Sequence, residues 1–330
     1  YQMMLQQIKD TCHQVRCDFD EWRSERSFYV PDESGVSYID RTFKMLEDKG
    51  LLYRTEDGAL WFKSTDFGDD KDRVLIKADG SYTYFAPDIA YHKNKFDRGF
   101  TRCIDLLGAD HHGYIKRIQS VGHVFGKPGQ PEVIIGQMVN LFRDGTKVRM
   151  SKRTGEMVSF EELVEEVGVD STRYTMLSRS TDQPIDFDIA KAKKQDASNP
   201  VYYVQYAHAR ICSILRKAAG RDCGPDEIVE ALVPADCDLS VLVDDSELAL
   251  ARKIDEFEEL VAGCARDLAP FRITHYAEEL AAAFHQFYTK VHVLTDDERT
   301  TCARLYVCDC VRRTLENALG LLGVLAPERM

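Results

Sequence analysis

The sequence predicts an α/β part followed by an all-α part, and three observations support this prediction. Short apolar runs alternate with helical patterns from residue 73 to about 190, an order that gives parallel strands with ligands beyond their carboxyl ends. Farther along the chain only helical patterns follow. The length of 330 residues also exceeds the usual size of one hydrophobic core. We therefore predict domains over 1–72, 73–190 and 191–330.

The composition is that of a soluble globular protein, with 44% apolar and 30% charged residues. No apolar run approaches the roughly eighteen residues of a membrane span, and the first ten residues are too polar for a signal peptide. Ten cysteines without a Cys-x-x-Cys pair indicate a reducing cytoplasm and no metal site. The net charge of −12 disfavours indiscriminate binding to DNA or RNA, but it permits a specific RNA partner at a local basic face.

The elements of the first 190 residues follow from the spacing of apolar residues. A stripe of Ile39, Phe43 and Leu46 predicts a helix, and the stretch 51–72 is predicted to be rich in turns. Helices are predicted near 2–16, near 37–50, from Pro87 and on the face 115–125. Strands are predicted at 74–76, 82–85, 103–107 and 133–135, the third of them of the buried type.

In the helical half, capping residues predict where helices begin. Asn199 and Pro200 predict an N-cap followed by a proline in the first helical position. Thr295 and Glu298 predict a capping box for the last helix. The acidic segment 219–247 is predicted to be a loop or an irregular insert.

Tyr84 and Asp88 form the first candidate site. They lie four residues apart where a helix starts, so that both side chains can face one pocket. A carboxylate accepts the paired N–H donors of a guanidinium, and an aromatic ring lies against the guanidinium plane. The alternative interpretation makes Asp88 a helix-start residue and Tyr84 a core residue.

The second candidate site is the sharp turn that follows the strand ending at Gly108. A glycine there lets a nucleotide approach the backbone, and the helix N-terminus that follows favours anions or polar ligand edges. His111 is predicted to donate or accept hydrogen bonds in this pocket, whereas His112 faces solvent. A metal site at Asp110 and the two histidines is not expected, because consecutive side chains point in divergent directions.

The third candidate site is a basic loop over residues 143–153, where five cations are opposed only by Asp144. Such a loop can close over phosphates and follow the charge that develops during their transfer. Lys152 is best placed to contact a phosphate, and Arg149 adds supplementary charge. The alternative interpretation is a solvated surface loop.

The run 202–210 is the candidate RNA-binding face. Tyr203, Tyr206 and Arg210 interleave aromatic and basic side chains, and nucleic-acid bases stack on exposed rings. The alternative interpretation places these rings in the core of the helical bundle, because rings at helical spacing are often core residues.

Together these segments resemble arginyl-tRNA synthetase, a class I aminoacyl-tRNA synthetase, and the resemblance runs through most of the chain. The Tyr-x-x-x-Asp-x-Ala-Tyr run that starts at Tyr84 is specific to this family, as is the Tyr-Val-Gln-Tyr-Ala-His-Ala-Arg run that starts at Tyr203. The Met-Ser-Lys loop, residues 150–152, marks only the class. Further resemblance lies in the segments 67–70, 108–111 and 322–330.

The resemblance implies the second half of a Rossmann-like catalytic domain followed by an α-helical anticodon-binding domain. Tyr84 and Asp88 would hold the guanidinium of the substrate arginine. The other implied roles are ATP binding by Gly108, Asp110, His111, Met150, Ser151 and Lys152, catalytic charge from Lys152 and Arg149, and tRNA contacts by Tyr203, Tyr206, Arg210 and Met330.

The implied activity is that of an arginine–tRNA ligase. Arginine and Mg-ATP, with Mg²⁺ bound to the nucleotide, give arginyl-adenylate and pyrophosphate. The arginyl group then moves to the terminal ribose of tRNA(Arg). The expected enzyme is cytoplasmic, without membrane or DNA partners, and monomeric at full length.

The sequence departs from the family pattern in two ways. Arg149 and Arg153 replace the lysine that opens the signature loop and the serine that closes it. The class I His-x-Gly-His motif occurs nowhere in the sequence. We therefore expect a C-terminal part without the first catalytic half and the N-terminal module, in which 1–72 is the insertion that connects the two halves. The alternative function is a non-catalytic tRNA-binding module.

Overall fold

The computed structural model describes residues 1–148 and 158–330, which form two compact units. One unit comprises Phe19–Met138, and the other combines Tyr1–Asp18 with Val139–Met330. The residues Arg149, Met150, Ser151 and Lys152 of the predicted basic loop lie outside the described residues. The domain boundaries predicted after residues 72 and 190 stay predictions.

Helices make up most of the described chain. Their bounds are α1 (Gln2–Gln14), α2 (Tyr38–Asp48), α3 (Phe85–Asp97), α4 (Ile115–Val124), α5 (Phe160–Val167), α6 (Val169–Leu177), α7 (Ile189–Ala192), α8 (Pro200–Ala219), α9 (Pro225–Leu232), α10 (Asp245–Asp267), α11 (Phe271–Lys290) and α12 (Glu298–Leu321). The predicted helices near 2–16 and 37–50 are confirmed as α1 and α2. Among the described residues, no helix has the length and apolar character that crossing a membrane requires.

The strands form small sheets. In the unit Phe19–Met138, β1 (Leu52–Arg54), β2 (Leu60–Phe62) and β3 (Arg73–Ile76) are antiparallel in that order, and β4 (Ile104–Gly108) pairs in parallel with β5 (Glu132–Gly136). In the other unit, β6 (Val139–Arg143) pairs antiparallel with β7 (Thr146–Lys147) and parallel with β8 (Ile185–Asp188).

The parallel pair β4–β5 confirms the predicted strand–helix–strand unit. Helix α4 connects the two strands, and it packs closely on the segment that leads into β5. A Cβ atom at Gly122 would lie 1.7 Å from the carbonyl oxygen of Gln130, so only glycine permits this approach. The prediction that β4 is a buried strand is wrong. Among the described residues, β5 is the only strand that pairs with β4, and Ile104 and Leu106 are 40% and 72% exposed.

The stretch 51–72, predicted to be rich in turns, contains two strands that the sequence did not reveal. β1 and β2 form a hairpin in which Tyr53 is opposite Trp61, and β2 continues the pairing to β3. Each of these two strands is three residues long. That length is too short for alternating polar and apolar residues to predict a strand.

The prediction of a strand over 82–85 is also wrong. Only Tyr82 forms an isolated bridge, with Ile76 of β3, before the chain turns and α3 begins at Phe85. Pro87 explains this early start. Proline lacks the N–H that a strand needs for its hydrogen-bond ladder, and its fixed φ suits the first helical turn.

The two cap predictions in the helical half have different outcomes: the positions of Asn199 and Pro200 at the start of α8 are confirmed, whereas the capping box at Thr295 is wrong. Asn199 does occupy the N-cap position of α8, but its side-chain amide donates to the carbonyl oxygens of Ala192 (3.0 Å) and Lys194 (2.8 Å) instead of capping the helix. The capping box of Thr295 is wrong, because α12 begins one residue after Asp297. The carboxylate of Asp297 accepts the amide N–H of Thr300 at 3.0 Å.

The segment 219–247 is not a loop throughout, because it contains α9. Pro225 stands in the first turn of this helix, and Asp226 and Glu227 lie in the same turn. Their negative charges favour the positive end of the helix dipole. The acidic composition that suggested a loop is therefore also the composition of a helix start.

A buried ion pair joins the segment before β3 to β3 itself. The Arg73 guanidinium donates two hydrogen bonds to the Asp69 carboxylate, from Nε at 2.8 Å and from Nη2 at 2.7 Å. The Asp69 side chain is 1% exposed. Burial alone would raise the pKa of Asp69, but the hydrogen bonds from Arg73 hold that pKa well below its ordinary value. The segment 67–70, part of the family resemblance, thus has a structural role.

We expect Asp69→Asn to destabilise the unit Phe19–Met138 by about 3 kcal/mol, because it leaves a buried guanidinium without its main charge partner. The matched control is Asp48→Asn, which removes the exposed pair between Lys44 and Asp48 and should leave the free energy of unfolding nearly unchanged. Urea unfolding followed by circular dichroism measures both changes. Equal losses for the two variants would contradict the structural role of the buried pair.

Candidate functional site

Asp88 lies in the first turn of α3 and is only partly exposed. The Tyr114 hydroxyl, at the end of the 3₁₀ turn Ala109–Tyr114, donates a short hydrogen bond to Oδ2 of Asp88. Burial raises the pKa of Asp88, and the hydrogen bond from Tyr114 opposes that rise only in part. Within the described residues, no lysine or arginine forms an ion pair with this carboxylate. Asp88 is therefore a desolvated anion without a cationic side-chain partner.

A network of three side chains, with the buried His92 at its centre, supports the helix that carries Asp88. The Nδ1 atom of His92 lies 2.8 Å from the backbone oxygen of Asp88, one turn earlier on α3. The Nε2 atom of His92 lies 2.8 Å from Oδ2 of Asp105 on β4. The Lys95 ammonium donates to the other carboxylate oxygen of Asp105 at 2.8 Å. The network ties the start of α3 to the parallel sheet and so fixes the position of Asp88.

This network sets the charge state of Asp105. Burial alone would raise the pKa of Asp105, but the hydrogen bonds and charges of His92 and Lys95 outweigh it and lower that pKa to about 2. Sequence reasoning missed all three residues. The spacing of His92 four residues after Asp88 on one helix was visible, whereas the contact with Asp105 depends on tertiary packing.

The structure does not join Tyr84 to Asp88. Tyr84 occupies the N-cap position of α3 and is 93% exposed, so its alternative interpretation as a core residue is wrong. The aromatic hydroxyl that contacts Asp88 belongs to Tyr114, which sequence reasoning missed. The role of Tyr84 toward the substrate stays a prediction.

The turn predicted to bind a nucleotide lies beside the same Tyr114. Gly108 has φ −70° and ψ 161°, and a Cβ atom there would lie 2.8 Å from Oδ1 of Asp110. The side chains of Asp110 and His111 are 83% and 56% exposed, with Oδ2 of Asp110 3.7 Å from Nε2 of His111. The His111 ring meets the Tyr114 ring edge-on, with centroids 6.4 Å apart. Tyr114 thus connects the turn to Asp88.

Three of the four predicted tRNA contacts line one cavity in the helical half. Tyr206, Arg210 and Met330 border a cavity of about 390 Å³, and the other cations and the further tyrosine on its wall are Arg216, Lys217, Arg329 and Tyr288. The Arg210 guanidinium donates to the Tyr206 hydroxyl at 2.8 Å and lies 4.4 Å from the centroid of the Tyr288 ring. Aromatic and basic groups therefore meet at an accessible surface.

The two tyrosines of this predicted face differ in exposure. Tyr206 is 37% exposed, and its ring stacks on Tyr202 with centroids 6.2 Å apart and an interplanar angle of 12°. Tyr203 is half-buried, packs on the apolar core of the bundle and lies 5.0 Å from the His285 ring. The alternative interpretation, that these rings belong to the core of the bundle, is therefore correct for Tyr203 and wrong for Tyr206.

The C-terminal segment reaches this cavity because side chains of α8 hold its backbone. Three side chains of α8 donate hydrogen bonds to carbonyl oxygens of this segment. Gln205 donates to the oxygen of Leu325 (2.9 Å), His208 to that of Pro327 (2.9 Å) and Arg216 to that of Glu328 (2.8 Å). Gln205 and His208 are buried polar residues of the run predicted to contact RNA. Their role here is to position the segment that ends at Met330, which no sequence pattern revealed.

Comparisons with known proteins match the whole chain to one group. The family model described as the catalytic domain of class I tRNA synthetases (R) matches residues 17–212, and the DALR anticodon binding domain matches residues 204–330. Arginine–tRNA ligases of Syntrophotalea carbinolica and Oceanobacillus iheyensis are 49% and 47% identical over 94% and 99% of this chain. The chain covers 54% and 56% of these two proteins, about half their length.

Solved structures agree with this match. A Campylobacter jejuni crystal structure, described as an arginyl-tRNA synthetase, has a TM-score of 0.87 and 33% sequence identity to this chain. The match covers 100% of this chain and 68% of the Campylobacter jejuni chain. The Thermus thermophilus arginyl-tRNA synthetase has a TM-score of 0.77 over 99% of this chain and 63% of its own. Its identity of 23% supports similarity of fold alone.

We expect the network around Asp105 to stabilise the fold above pH 4 and to fail in acid. A carboxylate whose folded pKa lies near 2 contributes stability above its unfolded pKa, and that contribution is lost as the pH falls toward 2. Asp105→Asn should therefore cost about 2 kcal/mol at pH 6, and the difference from wild type should shrink between pH 4 and pH 2. Urea unfolding at several pH values measures it. A difference independent of pH would contradict this role.

Proposed function

Because this chain belongs to the arginyl-tRNA synthetase family of class I ligases, we propose that it carries the arginine site and the anticodon-binding domain of an arginine–tRNA ligase. The observation that supports the proposal most directly is Asp88. Its carboxylate is desolvated, accepts one hydroxyl hydrogen bond from Tyr114, and has no cationic side-chain partner among the described residues. A substrate guanidinium supplies the missing cation.

The physical basis of this recognition is the pairing of a planar cation with a fixed anion. A guanidinium presents parallel N–H donors that match the two oxygens of a carboxylate, and desolvation strengthens their attraction. Tyr114 occupies Oδ2 from one side, which leaves Oδ1 and the second lone pair of Oδ2 for the substrate. The exposed ring of Tyr84 is free to lie against the guanidinium plane.

The proposed reaction has two steps. An oxygen of the arginine carboxylate attacks the α-phosphorus of Mg-ATP, which forms arginyl-adenylate and releases pyrophosphate. A hydroxyl of the terminal tRNA ribose then attacks the arginyl carbonyl and releases AMP. In this proposal Gly108, Asp110 and His111 contact the adenosine.

The basic loop has the charge-stabilising role in the same proposal. Lys152 and Arg149 are the cations that meet the phosphates as negative charge develops on the leaving pyrophosphate. Met150 and Ser151 are the other proposed ATP-binding residues of this loop. The support for these roles is the resemblance of the sequence, since residues 149–152 lie outside the described residues.

The helical domain provides the proposed tRNA contacts. The exposed ring of Tyr206 offers a surface on which a base stacks, and the neighbouring Arg210 offers a charge to the phosphate backbone. Met330 borders the same cavity. Cations concentrated at one place allow a chain of net charge −12 to bind RNA locally. Tyr203 is proposed to support this surface from the core side.

We expect Asp88→Asn to weaken the binding of L-arginine at least about thirty-fold, because a buried charge pair loses one partner, a cost on the order of 2–5 kcal/mol. The wild-type affinity should fall as the pH is lowered through the raised pKa of Asp88, since protonation removes the anion. Isothermal titration calorimetry measures both effects. Asp66→Asn, at an exposed position of the same unit, is the control and should bind as wild type. Unchanged affinity in Asp88→Asn would rule out this role.

Tyr206→Ala should weaken the binding of tRNA(Arg) about five-fold to one-hundred-and-fifty-fold, because stacking of one base on an aromatic ring contributes about 1–3 kcal/mol. The control is Tyr306→Ala, which removes a tyrosine of similar exposure on α12. Fluorescence anisotropy with labelled tRNA at fixed salt measures the two affinities. Equal losses in the two variants would show that the cavity near Met330 is not the contact surface.

The second candidate function is a non-catalytic tRNA-binding module. The match of residues 204–330 to the DALR anticodon binding domain supports it. Arginine-dependent exchange between ATP and pyrophosphate, measured with tRNA present, separates the two functions. Exchange supports the ligase, whereas tRNA binding without exchange supports the module.

A further inference from the structure

Two cysteines far apart in the sequence lie in contact within the helical domain. The Sγ atoms of Cys237 and Cys302 are 3.0 Å apart, and both side chains are partly buried. Cys237 precedes the 3₁₀ turn Leu239–Val241, and Cys302 lies in the second turn of α12. In the part of the chain that the structure describes, no other two cysteine sulfurs form a hydrogen bond. Neither the arginine site nor the tRNA cavity uses this pair.

A neighbouring ion pair holds the same two segments together. The carboxylate of Asp238, next to Cys237, accepts a short hydrogen bond from the guanidinium of Arg299 on α12. Asp238 also accepts the amide N–H of Ser240 at 3.0 Å, which fixes the turn that carries Cys237. Both segments are therefore held in place by contacts other than the sulfurs, so the proximity of the sulfurs is a property of the fold.

We propose that Cys237 and Cys302 form a redox-sensitive pair, which a peroxide converts into an intramolecular disulfide. The pair joins the segment between α9 and α10 to the start of α12. The inference is independent of the ligase function, because it requires only the folded helical domain. In the reducing environment expected for this protein, the thiol form is the resting state.

The oxidation balances with hydrogen peroxide as the oxidant. The Cys302 thiolate attacks one peroxide oxygen, which breaks the O–O bond, releases hydroxide and leaves a sulfenic acid on Cys302. The Cys237 thiol then attacks the sulfenic sulfur, which forms the S–S bond, and the sulfenic hydroxyl leaves as water with the proton of the Cys237 thiol. In sum, the two thiols lose two electrons and two protons, and hydrogen peroxide is reduced to two water molecules.

The environment of the two sulfurs assigns them different parts in this reaction. Burial and the hydrogen bond with Cys302 raise the pKa of Cys237 to about 12, and the nearby Asp236 and Asp238 act in the same direction. Cys237 therefore keeps its proton and serves as the resolving thiol. Cys302, on α12, is therefore the thiol that reacts with the peroxide first.

The test is a thiol map of the folded chain after oxidation. The protein is treated with hydrogen peroxide, its free thiols are blocked with N-ethylmaleimide, and peptides are analysed without reduction. We expect a linked peptide pair containing Cys237 and Cys302, formed before the other cysteines are lost and reversed by dithiothreitol. In Cys237→Ser the link should be absent, and dimedone should trap a sulfenic acid on Cys302. The control Cys223→Ser should retain the link.

The stability of the oxidised form is the second measurement. A disulfide that fits the native fold restrains the unfolded chain, so the oxidised protein should melt higher than the reduced protein, by on the order of 5 °C. The proposal is overturned if both thiols remain open to N-ethylmaleimide while other cysteines are oxidised. A linked protein that melts below the reduced protein also overturns it, because the link then distorts the fold.

Discussion

The carboxylate of Asp88 is the group on which the proposed chemistry of this protein depends. A carboxylate removed from water is unfavourable unless it is hydrogen-bonded and paired with a cation. Here Asp88 accepts a hydrogen bond from Tyr114 and lies at a helix start, but no lysine or arginine among the described residues forms an ion pair with it. The fold keeps this anion in place because His92 and Asp105 tie α3 to β4 beneath it. In the proposed function, a substrate guanidinium supplies the missing cation and so offsets the free-energy cost of desolvating this carboxylate.

The two proposed recognition surfaces work by different physics. The arginine site is a desolvated anion that selects one small cation by charge and by paired hydrogen bonds. The cavity near Met330 is an accessible surface of rings and cations, where stacking and phosphate contacts add up over a larger ligand. Raised salt should weaken the second surface more strongly than the first, because it screens exposed charges better than buried ones.

Local sequence patterns predicted part of the fold and the central residue of the candidate site. Pro87 indicated where α3 begins, the apolar runs gave the parallel pair β4–β5, and Asp88 was placed at a helix start. The strands β1 and β2 were not predicted, because a strand of three residues is too short to show an alternation of polar and apolar residues. Tyr114 escaped because its hydroxyl reaches Asp88 across the fold, from a residue 26 positions away, and no local pattern encodes such a contact. The capping box at Thr295 failed since Asp297, an equally good cap, lies closer to the helix.

The most direct test of the central claim compares L-arginine with L-citrulline, which has nearly the same shape but a neutral ureido group in place of the guanidinium. Isothermal titration calorimetry of this chain at neutral pH gives the two affinities under one set of conditions. Recognition by the Asp88 carboxylate predicts that citrulline binds at least about one-hundred-fold more weakly, because it leaves a desolvated charge unpaired. Equal affinity for arginine and citrulline would contradict it.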